Sequence, residues 1–243
     1  MNKLPDTPLI RFYKTPAMRC PYLPDRQERL VFAHLRGEQA DSLHNVLAQA
    51  GFRRSHNIVY RPDCDHCTAC VPVRVQAARF TPDRRFRRVL ARNANVQAVA
   101  LPPLASPEHF RHFATYQASR HQDGSMAQMD FEEYRAMVED TPVESLMIEY
   151  RDPDMSLFGV ALTDRLQDGL SMVYSFFSPD RAERSPGTFM ILDHIQRARE
   201  LGLPYVYLGY WIEDCNKMSY KRRFRPIELL TKTGWRVDRQ PTR

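Results

Sequence analysis

The sequence predicts a mixed α/β protein, a layer of strands and helices preceded by a smaller cysteine-bearing lobe, and three observations carry that expectation. Strand-like runs follow one another in "ESLMIEYR" (144–151), "SLFGVALTD" (156–164) and "LSMVYSFF" (170–177). The stretch "TFMILDHIQRARELG" reads as a helix over 188–201 and runs into a further strand, "PYVYLGYW". Near the N-terminus "RPDCDHCTAC" places Cys64, Cys67 and Cys70 between two short β-branched runs, "NIVY" and "VPVRV". Strands, a helix and another strand make a mixed α/β layer. The expected divisions are a cysteine-containing lobe over 1–75, a basic connecting segment over 76–105 and the layered domain over 106–243.

Each element has a local reason. In "DSLHNVLAQAGF" Asp41 suits an N-cap, Leu43, Val46, Leu47 and Ala50 form an apolar stripe, and Gly51 suits the C′ position. "LPPLASP" (101–107) is a turn in which Ser106 caps a helix and Pro107 takes its first position. That helix should carry Phe110, Phe113 and Ala114 on one face. "DFEEYRAMVED" opens on a capping box made by Asp130 and Glu133. In the last helix Phe189, Leu192 and Ile195 share a face and Gly202 closes it.

Composition excludes several classes. With 43% apolar and 26% charged residues the 243-residue chain is globular. No apolar run reaches the ~18 residues that span a bilayer. The opening "MNKLPDTPLIRFYKTP" lacks the apolar core of a secretory signal, so a cytoplasmic location is expected. A reducing compartment and five cysteines, an odd number, argue against structural disulfides.

The net charge of +6 is clustered. Seven arginines (Arg74, Arg79, Arg84, Arg85, Arg87, Arg88, Arg92) face one acid, Asp83, in a single run. "KMSYKRRFRP" adds Lys217, Lys221, Arg222, Arg223 and Arg225 with no acid. Such runs attract phosphates, and the interleaved Phe86, Tyr220 and Phe224 could stack on bases. The alternative is a pair of solvated faces.

Thiolates gathered by a short loop bind zinc or iron tightly. The Cys-x-x-Cys-x-x-Cys spacing is closer to an iron–sulfur run, which wants one more thiolate. Cys20 in "RCPYLP" supplies it, so Cys20, Cys64, Cys67 and Cys70 form a candidate set for zinc or an iron–sulfur cluster. A dithiol redox switch and metal-free packed thiols are the other readings.

Ahead of the 188–201 helix, "RSPGTF" partly matches the pyrophosphate loop of coenzyme A-dependent acyltransferases of the GNAT fold, which rests on a helix N-terminus. Arg184 and Gly187 fit, but Phe189 stands where a small residue belongs, which argues against coenzyme A as donor.

Longer stretches carry a family resemblance. "SHNIVYRPDCDHCTACVPVRV", "MVYSFFSPD" and "YVYLGYWIEDCNKMSYKRRFRPIELL" resemble the arginyl-tRNA–protein transferase family, most closely its bacterial leucyl-tRNA-dependent branch. The resemblance runs from Cys20 to about Leu230. It implies a GNAT-like acyltransferase fold and transfer of leucine, or arginine, from its tRNA to the N-terminal amine of proteins beginning with Asp or Glu, which marks them for degradation. Leucyl-tRNA or arginyl-tRNA and such acidic-start proteins would be the partners, with no cofactor needed for the chemistry.

For that reaction Glu213 and Asp214 are the candidate proton-handling carboxylates, and Tyr174 and Tyr210 the candidate hydroxyl donors. Arg74 and Arg120 are candidates for the acidic acceptor residue, because a carboxylate is met best by an arginine. Lys217, Lys221, Arg222, Arg223 and Arg225 are assigned to the tRNA backbone, and Cys215 to the core. Two rival readings, a metal-knuckle nucleic-acid-binding protein and an iron–sulfur redox sensor, account for the cysteines and arginines. They leave the motifs of 145–225 without a task.

Overall fold

The computed structural model describes residues 10–239 other than His121 and Asp123. In chain order the first elements are β1 (Tyr13–Lys14), β2 (Met18–Arg19), β3 (Gln27–Glu28), β4 (Leu30–His34), α1 (Ala40–Gln49), β5 (Arg53–Ser55), β6 (Ile58–Pro62) and β7 (Val71–Gln76). There follow α2 (Arg84–Arg92), β8 (Gln97–Leu101), α3 (Pro107–Arg120), α4 (Phe131–Glu139), β9 (Ser145–Arg151), β10 (Leu157–Leu166) and β11 (Gly169–Phe177). The last are α5 (Pro186–Glu200), β12 (Tyr205–Trp211), α6 (Asn216–Ser219), β13 (Ile227–Thr231) and β14 (Gly234–Val237).

An eight-stranded sheet in the order β14-β13-β7-β12-β11-β10-β9-β8 forms the body of the protein, and a four-stranded sheet, β1-β4-β6-β5, forms the N-terminal lobe. The mixed α/β expectation is met, but two boundaries move. β7 lies inside the large sheet, so the lobe expected over 1–75 stops before residue 71. The segment expected as a connector supplies α2 and the edge strand β8.

Helices cover both faces of the large sheet. α5 and α2 pack on one, where Phe86 and Val89 meet Met190, Ile191, Ile195, Val206 and Leu208. α3 and α4 pack on the other, where Phe113, Tyr134 and Met137 meet Met147, Val160 and Phe176. A bulge at Val173, the residue skipped between the pairs Leu162↔Tyr174 and Thr163↔Met172, reverses the alternation along β11. Leu170 and Met172 therefore join the α5 side, while Tyr174 and Phe176 turn to α3 and α4.

Two helix starts follow their predicted chemistry. Asp130 and Glu133 form the capping box of α4, and Ser106 Oγ accepts from His109 N–H at 3.1 Å to start α3. Asp83 caps α2 by accepting from Phe86 N–H at 2.8 Å. Two stripes rotate from their predicted positions. In α1 the buried residues are Ala40, His44, Asn45, Leu47 and Ala48, Val46 is exposed, and Gln39 rather than Asp41 holds the N-cap position. In α3 the buried line is His109, Phe113 and Gln117, with Ala114 outside.

The lobe is cemented to the large sheet on the face opposite α5. Ala48 packs with Leu166 and with Tyr207, whose neighbours Val206 and Leu208 point the other way. Arg54 meets Asp164 through two bonds of 2.7 and 2.6 Å, with both side chains sealed from solvent. Trp235 Nε1–H donates to the Gln49 carbonyl at 2.9 Å. No helix among the described residues is long and apolar enough to cross a membrane.

Candidate functional site

β11 and β12 run parallel, and they pair only at their first residues, Gly169↔Tyr205, Leu170↔Val206 and Ser171↔Tyr207. Beyond Ser171 the strands share no ladder, so backbone groups along the gap need other partners. Arg53 reaches in from the N-terminal lobe and its Nη2 donates to the Val173 carbonyl at 2.9 Å and to the Met172 carbonyl at 3.5 Å. Gly209 makes room for it: φ is +73° there, and a Cβ would collide with the guanidinium.

A ring of phenols, Tyr22, Tyr60, Tyr210 and Tyr220, stands around Arg53. Burial pushes the hydroxyls of Tyr22 and Tyr220 up to about 12, so they stay protonated and supply no negative charge to the arginine. Tyr220 also faces Tyr116 of α3, which in turn faces Tyr174. These side chains form a continuous wall from α3, past the gap, to the lobe.

Lys221 closes the site from the α5 side, where the following Phe224 stacks on Phe86 with ring centroids 4.7 Å apart. Lys221 is buried, and its Nζ donates to the Tyr210 carbonyl at 2.7 Å. Burial, reinforced by the charge of Arg53, lowers its pKa from 10.5 to about 7. The assignment of Lys221 to the tRNA backbone is thereby corrected: a sealed amine inside the fold cannot meet an external phosphate.

The rest of that basic run is largely committed elsewhere. Arg222 and Arg225 both clamp Asp238, at 2.5 and 3.0 Å, and Arg222 also lies over the Trp211 ring. Arg223 is exposed, and the side chain of Lys217 lies outside what the structure describes. The open basic surface is instead α2, where Arg84, Arg85, Arg87 and Arg88 point outward and none forms an ion pair with a described residue.

Arg74 is no acceptor-recognition residue. It is buried, bonded to Glu228 at 2.7 Å and Tyr207 at 2.9 Å, and stacked on Tyr205 with its guanidinium carbon 3.5 Å from the ring centre. Arg120 is exposed at the end of α3, 5.4 Å over the Phe177 ring. Tyr210 is also corrected as a hydroxyl donor. Its O–H is buried between the carbonyls of Gly51 (3.1 Å) and Tyr60 (3.2 Å), which uses its one proton to dock the lobe.

Tyr174 accepts from Gln117 Nε2 at 2.6 Å, which leaves its own proton for another partner. Glu213 and Asp214 are exposed in the turn that follows β12. Cys215 is buried, as expected. In the "RSPGTF" loop the Arg184 guanidinium is held by both oxygens of Asp152 at 2.7 and 2.9 Å. Phe189 faces the core against Tyr150 and Phe158, so its ring does not reach toward a ligand at the helix end.

The four N-terminal cysteines do converge. Burial pushes the Cys70 thiol up to about 12, and Cys20, Cys64 and Cys67 add to the rise. All four thiols are free. Among the described residues no group of three or more His, Cys, Asp or Glu is placed to hold a metal ion. No reaction step is assigned to these cysteines.

A chain that closes a gapped sheet with a half-buried arginine and a buried lysine, and carries a bare arginine-rich helix, has the parts of a transferase acting on a polyanionic donor. Two family models match it: "Arginine-tRNA-protein transferase, N terminus" over residues 18–88 and "Arginine-tRNA-protein transferase, C terminus" over residues 108–231. The aspartate/glutamate leucyltransferase of Nitrobacter hamburgensis is 57% identical over 96% of this chain and 93% of its own length. That of Parvibaculum lavamentivorans is 54% identical over 93% and 94%, and that of Paramagnetospirillum magneticum 50% over 93% and 92%. The chain belongs to the arginine-tRNA–protein transferase family and is an aminoacyl-tRNA-dependent transferase. The rival readings, a nucleic-acid-binding knuckle and a redox sensor, find no support among these relatives.

Proposed function

We propose that the protein transfers leucine from leucyl-tRNA to the α-amine of proteins that begin with Asp or Glu, on a GNAT-like scaffold and in the cytoplasm. The observation that carries this reading is the 57% identity, across nearly the whole chain, to a relative named aspartate/glutamate leucyltransferase. The β11–α5–β12 unit, a strand–helix–strand layer with its gap beyond Ser171, supports the acyltransferase scaffold.

The aminoacyl ester is already activated, and an α-amine with a pKa of about 7.7 is partly neutral near pH 7. Catalysis then consists mostly of alignment. The neutral amine attacks the ester carbonyl, the C–N bond forms, and the ester C–O bond breaks to release the ribose hydroxyl of the tRNA. Tyr174, whose proton the Gln117 bond leaves free, is the donor assigned to the developing oxyanion. Glu213 and Asp214, at the end of β12, are the carboxylates assigned to the ammonium proton. The outward arginines of α2, with Arg223, are assigned to the tRNA phosphates.

Incubation with radiolabelled leucyl-tRNA and peptides beginning Asp, Glu or Ala tests the proposal. Label should enter the two acidic-start peptides alone; no transfer to either from leucyl-tRNA sinks it.

A further inference from the structure

The four-stranded sheet of the N-terminal lobe has two unlike faces. Val31, Ala33 and Val59 face α1 and pack with Leu47 and Phe52. Side chains alternate along a strand, so Phe32, His34 and Tyr60 belong to the opposite face. Strand pairing sets four residues side by side there: Tyr13↔Phe32 joins β1 to β4, Phe32↔Tyr60 joins β4 to β6, and Arg53↔Tyr60 joins β5 to β6. With strands ~4.8 Å apart the row is about 14 Å long. It starts at Tyr13, 46% exposed on the edge strand, and ends at Arg53 in the β11–β12 gap. The Tyr13 and Phe32 rings stack with centroids 5.5 Å apart, and the His34 ring meets both edge-on at 6.0 and 5.9 Å.

Among the described residues none of Tyr13, Phe32, His34 and Tyr60 enters a buried core cluster, so the lobe's own packing does not account for them. Half-open rings on a four-stranded sheet are a means of holding unpaired nucleic acid, about two or three bases on a sheet of this size. Stacking on a ring is indifferent to sequence, because every base has a π-face. The last member of the row is a cation. Arg53 makes no ion pair with a described residue; its Nη2 donates to two carbonyls, while Nε and Nη1 make no hydrogen bond within the described protein. Other sunken arginines are matched: Arg54 by Asp164, Arg74 by Glu228 and Arg184 by Asp152.

We infer that this face of the lobe is a platform for the unpaired 3′ end of the donor tRNA, with bases stacked on Tyr13, Phe32 and Tyr60 and the backbone led toward Arg53. Only the identity of the strand rests on the leucyl-transfer reading. Two features favour this occupant. The row is continuous with the gap, so a strand lying along it brings its last ribose, the one that carries the ester, to where the α-amine attacks. The order of groups fits as well, with rings for the bases and then one uncompensated cation for the phosphates. A paired stem cannot use the rings, because its bases are already stacked on one another. The platform and the α2 arginines therefore hold different parts of the tRNA, the first by stacking and the second by charge.

The test compares the full-length protein's binding of one leucine tRNA, intact and shortened by its unpaired 3′ nucleotides, in filter assays across a salt series. Tyr13→Ala, at an exposed position, should weaken binding of the intact tRNA by about 10-fold. It should leave the salt slope of log K unchanged and bind the shortened tRNA as the wild type does. Tyr13→Phe, which keeps the ring, should bind the intact tRNA like the wild type, and Phe32→Leu, which loses it, should match Tyr13→Ala. If Phe32→Leu does not fold, the Tyr13 variants decide alone. Undiminished binding of intact tRNA by folded Tyr13→Ala overturns the inference, and so does an equal loss with the intact and the shortened tRNA. Undiminished tRNA binding with a raised KM for the acceptor peptide overturns it too, and assigns the face to the acceptor. Stacking as expected but no transfer of leucine by the wild type would count against the leucyl-transfer reading alone.

Discussion

Arg53 of the N-terminal lobe donates to the carbonyl of Val173 at 2.9 Å, so a side chain from one sheet occupies the gap that opens in the other. The lobe is therefore part of the site. Gly209, on the far edge of the gap, is the residue that leaves space for this arrangement.

Substituting Gly209 by Ala tests the fit directly. The added Cβ must displace the Arg53 guanidinium, and the +73° φ becomes strained. The cost in stability should be about 1 to 2 kcal/mol, and the transfer rate should fall at least tenfold in a radiolabel assay. Wild-type kinetics in a folded Gly209→Ala protein would show that the arginine is not needed in that place.

Lys221 gives stability a defined pH dependence. Its pKa is about 7 folded and 10.5 unfolded, so between those values the unfolded chain binds more protons and stability rises with pH. The slope approaches ~1.4 kcal/mol per pH unit. Cys70, held up to about 12 in the fold, acts in the opposite sense above pH ~8.5. Urea unfolding at pH 7 and 8.5 should therefore show a gain that Lys221→Met removes; an equal gain in the variant would place the titration elsewhere.

The lobe's attachment depends on a sealed ion pair. Asp164→Ala leaves Arg54 buried without its partner and removes an acceptor of Ser145 Oγ–H as well. The loss should be about 3 to 5 kcal/mol in chemical denaturation, and a loss below ~1 kcal/mol would mean the lobe is held by its other contacts.

The two basic runs should behave differently. Reversing Arg84 and Arg88 on α2 to Glu should weaken tRNA binding and lower the salt slope of log K by roughly 1 to 2, with little change in melting temperature. Reversing Arg222 breaks its clamp on Asp238 and should lower the melting temperature instead. Filter binding across a salt series, alongside thermal melts, distinguishes these outcomes.

Periodicity and caps made the layered core legible, because β9 to β12 and α3 to α5 are signalled by local apolar patterns and by Ser106 and Asp130. α2 was hidden because Phe86 and Val89 are its only buried residues amid five arginines. β13 and β14 carry little local signal: β13 owes its place to pairing with β7, some 150 residues earlier in the chain, and β14 to pairing with β13. The site was harder still. Arg53 and Lys221 sit in runs whose neighbours face solvent or counter-ions, and one-dimensional charge counting treats all of them alike. Burial separates them, and only the fold assigns it.

Movement of leucine onto acidic N-termini can be measured directly. Equimolar leucyl-tRNA and arginyl-tRNA, supplied together with a Glu-start peptide and the purified protein, test it in one mass spectrum. The expected product is the peptide heavier by one leucine residue; an unchanged peptide, or one heavier by arginine, rules leucyl transfer out.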